Sequence, residues 1–229
     1  MNDKVITSYG GTLNAATCVA SNHYKDIYVI LDNGHGEETP GKRSPDGRFR
    51  EYSYARLIVS KIADCLKQLG IQYTILVPET TDVPLQERVI RANRIHRTQN
   101  TLGKTVILLS IHNNASGNGE WKSARGWSAY TTRGVTESDK VAQCLYEAAH
   151  EILDPKKIQI RKDTSDGDED IESNFYILSK SSMPAVLTEN FFQDNKLDVE
   201  YLESEQGKKD IVDIHINGIK KYIKLKFGK

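Results

Sequence analysis

Residues 27–36, which read IYVILDNGHG, decide the fold of this chain. The five residues 27–31 form an unbroken apolar run, which is typical of a strand buried on both faces of a parallel sheet. Gly34 and Gly36 permit a sharp turn where that strand ends. We therefore expect His35 at the carboxyl edge of a central strand, where open α/β sheets place their functional sites.

The composition is that of an ordinary globular protein. The chain has 229 residues, 38% of them hydrophobic and 27% charged, with a net charge of zero. The balanced charge does not favour nucleic acid as a partner. No segment reaches the roughly 18 apolar residues of a membrane span, so we expect no membrane insertion. The oligomeric state is not indicated by the sequence.

Strand-like and helix-like patterns alternate along residues 26–229. Short apolar or alternating runs predict strands at residues 27–31, 71–77, 105–111, 126–131, 175–178 and 185–187. Apolar residues at three- and four-residue steps predict helices at residues 51–69, 84–98, 137–153, 198–205 and 208–225. This alternation predicts a single α/β domain, with a twisted, mainly parallel or mixed sheet and helices on both faces. Residues 1–25 are predicted to be an N-terminal arm, and residues 154–173 a long acidic loop.

Three polar residues lie where this fold would bring them together. His35 follows the first predicted strand, His112 follows the third, and Glu51 opens the first helix. A catalytic zinc site usually has three histidine or carboxylate ligands and an open position for water, whose pKa the metal lowers to about 7. These three side chains fit that ligand count, so a site for one Zn²⁺ per chain is a hypothesis at this point.

A fourth residue, Glu189, follows the last predicted strand. Hydrolysis of an amide by metal-bound water needs a carboxylate that is not a ligand, because a proton must pass from the water to the leaving amine. Glu189 is the candidate for this general base and acid.

Each residue also has a simpler interpretation. His35 could be a loop histidine that hydrogen-bonds its own turn, and Glu51 could be a first-turn carboxylate that suits the helix dipole. Glu189 could belong to a structural salt bridge, since a carboxylate buried without a partner is costly. The spacing alone does not separate these interpretations, because no local HExxH motif is present.

A set of motifs runs in order along the chain. They are DNGHG at residues 32–36, RE at 50–51, LQER and AN at 85–88 and 92–93, SIHNNA at 110–115, RG at 125–126, and NFYIL and MPAVLTE at 174–178 and 183–189. Over about residues 28–222 the chain resembles the zinc-dependent N-acetylmuramoyl-L-alanine amidases of the amidase-3 type. Asn33 stands where that family often has proline, and Glu37 stands where it has a second glycine.

The resemblance implies the fold, the reaction and the site. It implies cleavage of the amide bond between N-acetylmuramic acid and L-alanine of the peptidoglycan stem peptide, so the partner is peptidoglycan or a muropeptide. Zinc would sit on His35, Glu51 and His112, with Glu189 as the catalytic carboxylate. Supporting or substrate-contacting roles are predicted for Asp32, Asn114, Arg125 and Asn190. Asp32 would either orient His35 or cap its turn.

Two alternatives remain open from the sequence. One is a zinc peptidase that cuts within the stem peptide, and the other is a wall-binding protein that keeps the scaffold without turnover. The first 25 residues show no apolar core of a secretory signal. The chain thus resembles phage or prophage lysis enzymes, and we expect it to act on the cell wall after release from the cytoplasm.

Overall fold

The computed structural model describes residues 23–228, so residues 1–22 of the predicted arm lie outside the described part. Its strands are β1 (Ile27–Asn33), β2 (Gln72–Ile75), β3 (Thr105–Asn114), β4 (Ser128–Thr131), β5 (Ile171–Glu172) and β6 (Ala185–Phe192). Its α-helices are α1 (Glu51–Leu69), α2 (Leu85–Thr101), α3 (Glu137–Leu153), α4 (Tyr176–Ser179), α5 (Lys196–Glu203) and α6 (Glu205–Phe227). None of the helices in residues 23–228 combines the length and apolar character needed to cross a bilayer.

The strands form one mixed sheet in the order β2-β1-β3-β6-β4-β5. Neighbouring strands are parallel except for β4 and β6, which are antiparallel. In this register Asp32 pairs with Ser110, and His112 pairs with Glu189. The carboxyl ends of β1, β3 and β6 therefore meet at one edge, as the sequence predicted.

Both faces of the sheet are covered, which confirms the α/β architecture. On one face, Val29 and Leu31 pack into a core shared with α1, α3 and α6. On the other face, Ile30 and Leu108 pack into a core shared with α2 and α4. A central strand buried in this way has no polar face, which explains the unbroken apolar run at its start.

The ends of the helices follow from local sequence. Glu51 is the first residue of α1, and Gly70 ends that helix in the left-handed conformation, with φ 72°. Thr136 and Asp139 form the predicted capping box at the start of α3. The predicted bounds of both helices agree with the structure, because apolar periodicity and end signals coincide there.

The predicted strand at residues 175–178 is wrong, because Tyr176–Ser179 forms the short helix α4. Periodicity cannot separate a strand from a helical turn in so short an apolar run. The outer strand is instead Ile171–Glu172, within the segment predicted as an acidic loop. Strands β3 and β6 also extend beyond their predicted ends, so His112 and Glu189 lie inside strands rather than after them.

A buried histidine joins α6 to the sheet. His215 is 0% exposed, and its Nδ1–H donates to the Ile211 carbonyl oxygen at 2.7 Å. Its Nε2 is then left to accept from the Thr188 hydroxyl at 3.0 Å. Burial lowers the pKa of His215 from 6.5 to about 4, so the folded protein holds the imidazole neutral.

We predict that His215 makes the protein acid-labile between pH 6.5 and 4. In this range the unfolded chain binds a proton at residue 215 that the folded protein does not, so stability falls as pH falls. Over that whole range the loss is about 3 kcal/mol of the free energy of unfolding. Urea unfolding of the metal-free protein from pH 7 to 4 should show a shallower pH dependence for His215→Gln than for the parent.

Replacement of the partly buried His96 provides the comparison. Burial lowers the pKa of His96 in the same direction but less than that of His215, so His96→Gln should flatten the slope less than His215→Gln. Parallel slopes for the parent and His215→Gln would show that the buried imidazole is not the source of acid lability.

Candidate metal centre

His35, Glu51 and His112 lie together at the carboxyl edge of the sheet. One ligand atom from each of them lies within 4.8 Å of the other two. His35 Nε2 is 3.2 Å from Glu51 Oε1, and His112 Nδ1 is 3.1 Å from the same oxygen. The two histidine nitrogens are 3.2 Å apart. Among residues 23–228 this is the group that could hold a metal ion.

Three separate elements deliver these side chains. His35 stands on the turn after β1, Glu51 opens α1, and His112 belongs to β3. The histidine rings are perpendicular, with centroids 4.8 Å apart. Gly34 makes this approach possible, because a Cβ at that position would lie 2.4 Å from His112 Cε1. The glycine before His35 is therefore required by the neighbouring ring.

Glu51 is a fully buried carboxylate with a hydrogen bond on each oxygen. The Asn113 amide donates to Oε1 at 3.0 Å, and Gln193 Nε2 donates to Oε2 at 3.1 Å. A carboxylate this deep needs such donors, because burial penalises its charge. These contacts fix both oxygens and leave Oε1 facing the two imidazoles.

The electrostatics of the group favour a cation. Burial lowers the pKa of His35, whereas at His112 a downward effect of burial is outweighed by the hydrogen bond to Glu51, which raises the pKa. The charges of Glu189 and Asp32 add to that upward shift at His112. Burial alone would raise the pKa of Glu51, but the hydrogen bonds to both imidazoles lower that pKa well below 4.5. A divalent cation could supply the positive charge that the carboxylates around His112 favour.

Glu189 lies across from His112, and one of its carboxyl oxygens has no hydrogen-bond partner. The two residues pair in register between β6 and β3, and Glu189 Oε2 is buried with no hydrogen-bond partner. Burial raises the pKa of Glu189 to about 8, with the nearby Glu51 charge adding to the shift and His112 opposing it. A carboxyl group with a free oxygen and a pKa near neutrality suits proton transfer.

A cavity of about 370 Å³ opens beside these groups. Its lining includes His35, His112 and Glu189, together with four further charged residues: Asp32, Lys42, Asp82 and Arg88. The remaining wall is largely apolar and comes from the segment before α2, from α4 and from β6: Val83, Pro84, Leu85, Phe175, Tyr176, Ile177 and Leu187. The arrangement can hold a ligand against an apolar wall, with its reactive group near the histidines and Glu189.

Asp32 lines the same cavity, and its two oxygens are held by Arg88 and Ser110. Its Oδ1 accepts from Arg88 Nη1 at 2.8 Å, and its Oδ2 accepts from Ser110 Oγ at 2.6 Å. Arg88 in turn donates to the His35 carbonyl oxygen at 3.1 Å. The structure thus links Asp32 to His35 through Arg88, a residue that the sequence had placed only within a motif.

Asn190 is buried behind β3. Its Nδ2 donates to the His112 carbonyl oxygen at 3.1 Å, and its Oδ1 accepts from Trp127 Nε1 at 3.0 Å. These bonds place Asn190 in support of the strand that carries His112, and it is absent from the cavity lining.

The other two predicted supporting residues are not brought to the cavity lining. Asn114 Oδ1 accepts from the Ala115 amide at 2.8 Å. Arg125 pairs with Asp198, the atoms Nε and Oδ1 being 3.2 Å apart. This ion pair joins the segment before β4 to α5, and a supporting role for Arg125 stays a prediction.

Gln193 was missed by sequence reasoning. It lies 142 residues from Glu51 along the chain, and only the folded arrangement brings the two together. No local sequence pattern around residue 193 predicts that its side chain binds Glu51.

Comparison with known proteins identifies the family of this chain. The family described as N-acetylmuramoyl-L-alanine amidase matches residues 29–221. The chain belongs to this family. Membership confirms the resemblance found in the motifs and makes the chain an enzyme of the amidase class.

Relatives of known structure share the fold of this amidase. An N-acetylmuramoyl-L-alanine amidase from Clostridium difficile 630 superposes with a TM-score of 0.74 at 25% identity, covering 88% of this chain and 99% of that one. AmiC2 of Nostoc punctiforme gives 0.71 at 25% identity, covering 87% and 98%.

A curated relative extends beyond the matched region. The endolysin of Bacillus phage SPP1 is 29% identical over 202 residues, which is 86% of this chain and 66% of the endolysin. The chain thus spans about two thirds of that relative's length.

We predict that Zn²⁺ raises the melting temperature of the parent amidase, because a cation that binds only the folded state stabilises it by mass action. His35→Ala should lose this shift, since two ligands remain. His96→Ala is the matched control, because His96 hydrogen-bonds Ser182 on the surface, and it should keep the shift. Thermal scans with and without added Zn²⁺ measure the effect. An equal shift in His35→Ala and the parent would place the binding elsewhere.

Proposed function

We propose that this amidase uses one Zn²⁺ per chain to hydrolyse the amide bond between N-acetylmuramic acid and L-alanine of the peptidoglycan stem peptide. The observation that carries the proposal is the group of His35, buried Glu51 and His112 beside a Glu189 whose Oε2 has no hydrogen-bond partner, with both histidines and Glu189 in the lining of one cavity. Membership of the amidase family supplies the class of bond.

The donor set fits zinc. Two imidazoles and one carboxylate are ligands that Zn²⁺ takes in catalytic sites, where a further position stays open for water. When bound, Zn²⁺ lowers the pKa of that water and polarises a carbonyl oxygen. Gln193 and the Asn113 amide hold Glu51, so its carboxylate is oriented before any ion arrives.

Glu189 moves the proton. Its Oε2 has no donor in the folded protein, so it is free to accept a proton from the attacking water. The same oxygen then delivers that proton to the nitrogen of L-alanine as the carbon–nitrogen bond breaks. The water oxygen remains on the lactyl carbon as a carboxylate, and the stem peptide leaves with a free amino terminus.

The cavity walls would orient the substrate. The apolar wall of α4 and the segment before α2 suits the methyl groups that flank the scissile amide. Lys42 adds a positive charge to the lining, where a carboxylate of the stem peptide could pair with it.

We further propose that residues 26–229 form the catalytic domain and that residues 1–25 are an arm outside it, consistent with a family match that begins at residue 29. The protein would act on the cell wall after release from the cytoplasm. The phage endolysin among its relatives supports this setting.

We predict that Glu189→Gln binds Zn²⁺ like the parent but clears peptidoglycan about 10²–10⁴-fold more slowly, the range that a general acid–base group contributes. Turbidity loss of purified cell walls measures the rate, and a zinc-binding titration confirms that the metal is retained. Glu120→Gln, at an exposed loop position, is the control and should keep parental activity. A Glu189→Gln variant with full activity and bound zinc would refute the assigned role.

We predict that the products are stem peptides with free L-alanine amino termini, and that a chelator abolishes their release. Mass spectrometry of digested walls separates the alternatives. A peptidase would leave the muramic lactyl group amidated, and a wall-binding protein would release no product after zinc loading.

A further inference from the structure

The backbone of His35 adopts a conformation that residues other than glycine rarely take. Its φ is 61°, in the left-handed region, and it is one of few non-glycine residues of the described chain with a positive φ. Such a conformation persists only where surrounding contacts enforce it, and it is common at functional sites. The contacts that enforce it here involve two arginines.

Both arginines donate to the carbonyl oxygen of His35. Arg56 Nη1 lies 3.1 Å from this oxygen and Arg88 Nη2 also lies 3.1 Å from it. Arg56 comes from α1, the helix that begins with Glu51, and Arg88 comes from α2. The two helices thus converge on a single peptide group.

Arg88 is itself held rigidly. Its side chain is 3% exposed and pairs with Asp32 at 2.8 Å. It also donates to the carbonyl oxygens of Val83 at 2.8 Å and Asn33 at 2.7 Å. A planar guanidinium can make all these bonds at once, which a lysine ammonium cannot.

Arg56 is anchored from the opposite side. Its Nε and Nη2 donate to the Glu79 carbonyl oxygen at 3.1 and 2.7 Å, and its Nη1 also reaches the Tyr52 carbonyl oxygen at 3.1 Å. The loop that supplies Glu79 also packs on the turn itself, because a Cβ on Gly36 would lie 2.1 Å from the Asp82 nitrogen. The peptide after His35 is therefore fixed from two helices and a loop.

The left-handed turn decides where the imidazole points. In this conformation His35 Nε2 lies 3.2 Å from Glu51 Oε1 and its ring meets His112 edge-on. Without the bonds from both guanidinium groups to the His35 carbonyl oxygen, the turn at residues 34–36 would be free to shift, and the imidazole would move with the Cα of His35. Positions of metal ligands depend on such outer contacts, whose loss typically costs ~10–100-fold in metal affinity.

We propose that Arg56 and Arg88 are positioning residues for His35, which together hold its left-handed turn and so set the affinity of the His35–Glu51–His112 group for metal. The inference rests on the proposed function, because it takes these three side chains as the zinc ligands. Neither arginine contacts the ligand atoms, and both act through the backbone of His35.

The test compares Arg56→Met with Arg91→Met. Arg91 is a matched control, because it pairs with the carboxylate of Glu79 at 2.9 Å, and its hydrogen bonds within residues 23–228 go to Glu79, Glu87 and Leu76 rather than to His35. By competition with a chromophoric chelator, we expect the Zn²⁺ dissociation constant of Arg56→Met to rise about tenfold or more. That of Arg91→Met should stay within about twofold of the parent, the scale of a surface ion pair. Arg56→Lys keeps the positive charge but loses the planar guanidinium with its several N–H donors, so it should bind zinc more weakly than the parent.

A parental zinc affinity in Arg56→Met would overturn the proposal. Melting temperatures of the metal-free variants separate the positioning role from a general structural role. If Arg56→Met and Arg91→Met lower the melting temperature equally but differ in zinc affinity, the positioning role is supported. Arg88→Lys should weaken zinc binding as well, and if that buried variant fails to fold, the Arg56 pair still decides.

A crystal structure of Arg56→Met distinguishes failure of this inference from failure of the proposed function. If the parent itself binds no zinc, the proposed function is wrong, and the position of His35 remains informative. A changed φ at His35, or a His35 Nε2–Glu51 Oε1 distance well beyond 3.2 Å, would support the positioning role. An unchanged turn and distance would contradict it.

Discussion

A buried carboxylate between two imidazoles is the interaction on which the functional end of this amidase depends. Glu51 is 0% exposed, and its charge is stable there only because surrounding donors replace water. The Asn113 amide donates to its Oε1, and Gln193 donates to its Oε2. Both histidines approach Oε1. A buried group of this kind is costly as a purely structural device, which favours a role in holding a cation.

The parallel register of the sheet makes that interaction possible. Strand β1 ends at Asn33, which pairs with Ile111, so the turn after β1 lies beside His112 in the continuing strand β3. Successive side chains of β3 and β6 point to opposite faces of the sheet, so the two faces have different roles. His112 and Glu189 face the cavity, whereas Asn190 and Thr188 join the opposite face, where Thr188 meets His215 of α6. A slip of one residue would exchange these faces and dismantle the site.

Sequence reasoning predicted the architecture and the four central residues because both depend on strong local signals. The apolar run before His35, the helix opened by Glu51 and the ordered motifs each specify an element or its end. The contacts of Gln193 with Glu51 and of Arg56 with His35 could not be predicted. Each contact joins residues that are distant in sequence, and no local sequence pattern identifies the partner. The short α4 was mistaken for a strand, since four apolar residues carry no usable period.

The most direct measurement is anomalous diffraction at the zinc edge from crystals grown with Zn²⁺. A single peak is expected within about 2.0–2.2 Å of His35 Nε2, His112 Nδ1 and a Glu51 oxygen, the distances of zinc–nitrogen and zinc–oxygen bonds. A peak at the surface cluster of His150 with Glu169, whose atoms Nε2 and Oε2 are 3.1 Å apart, would contradict the assignment. The absence of any peak at the His35–Glu51–His112 group would do the same.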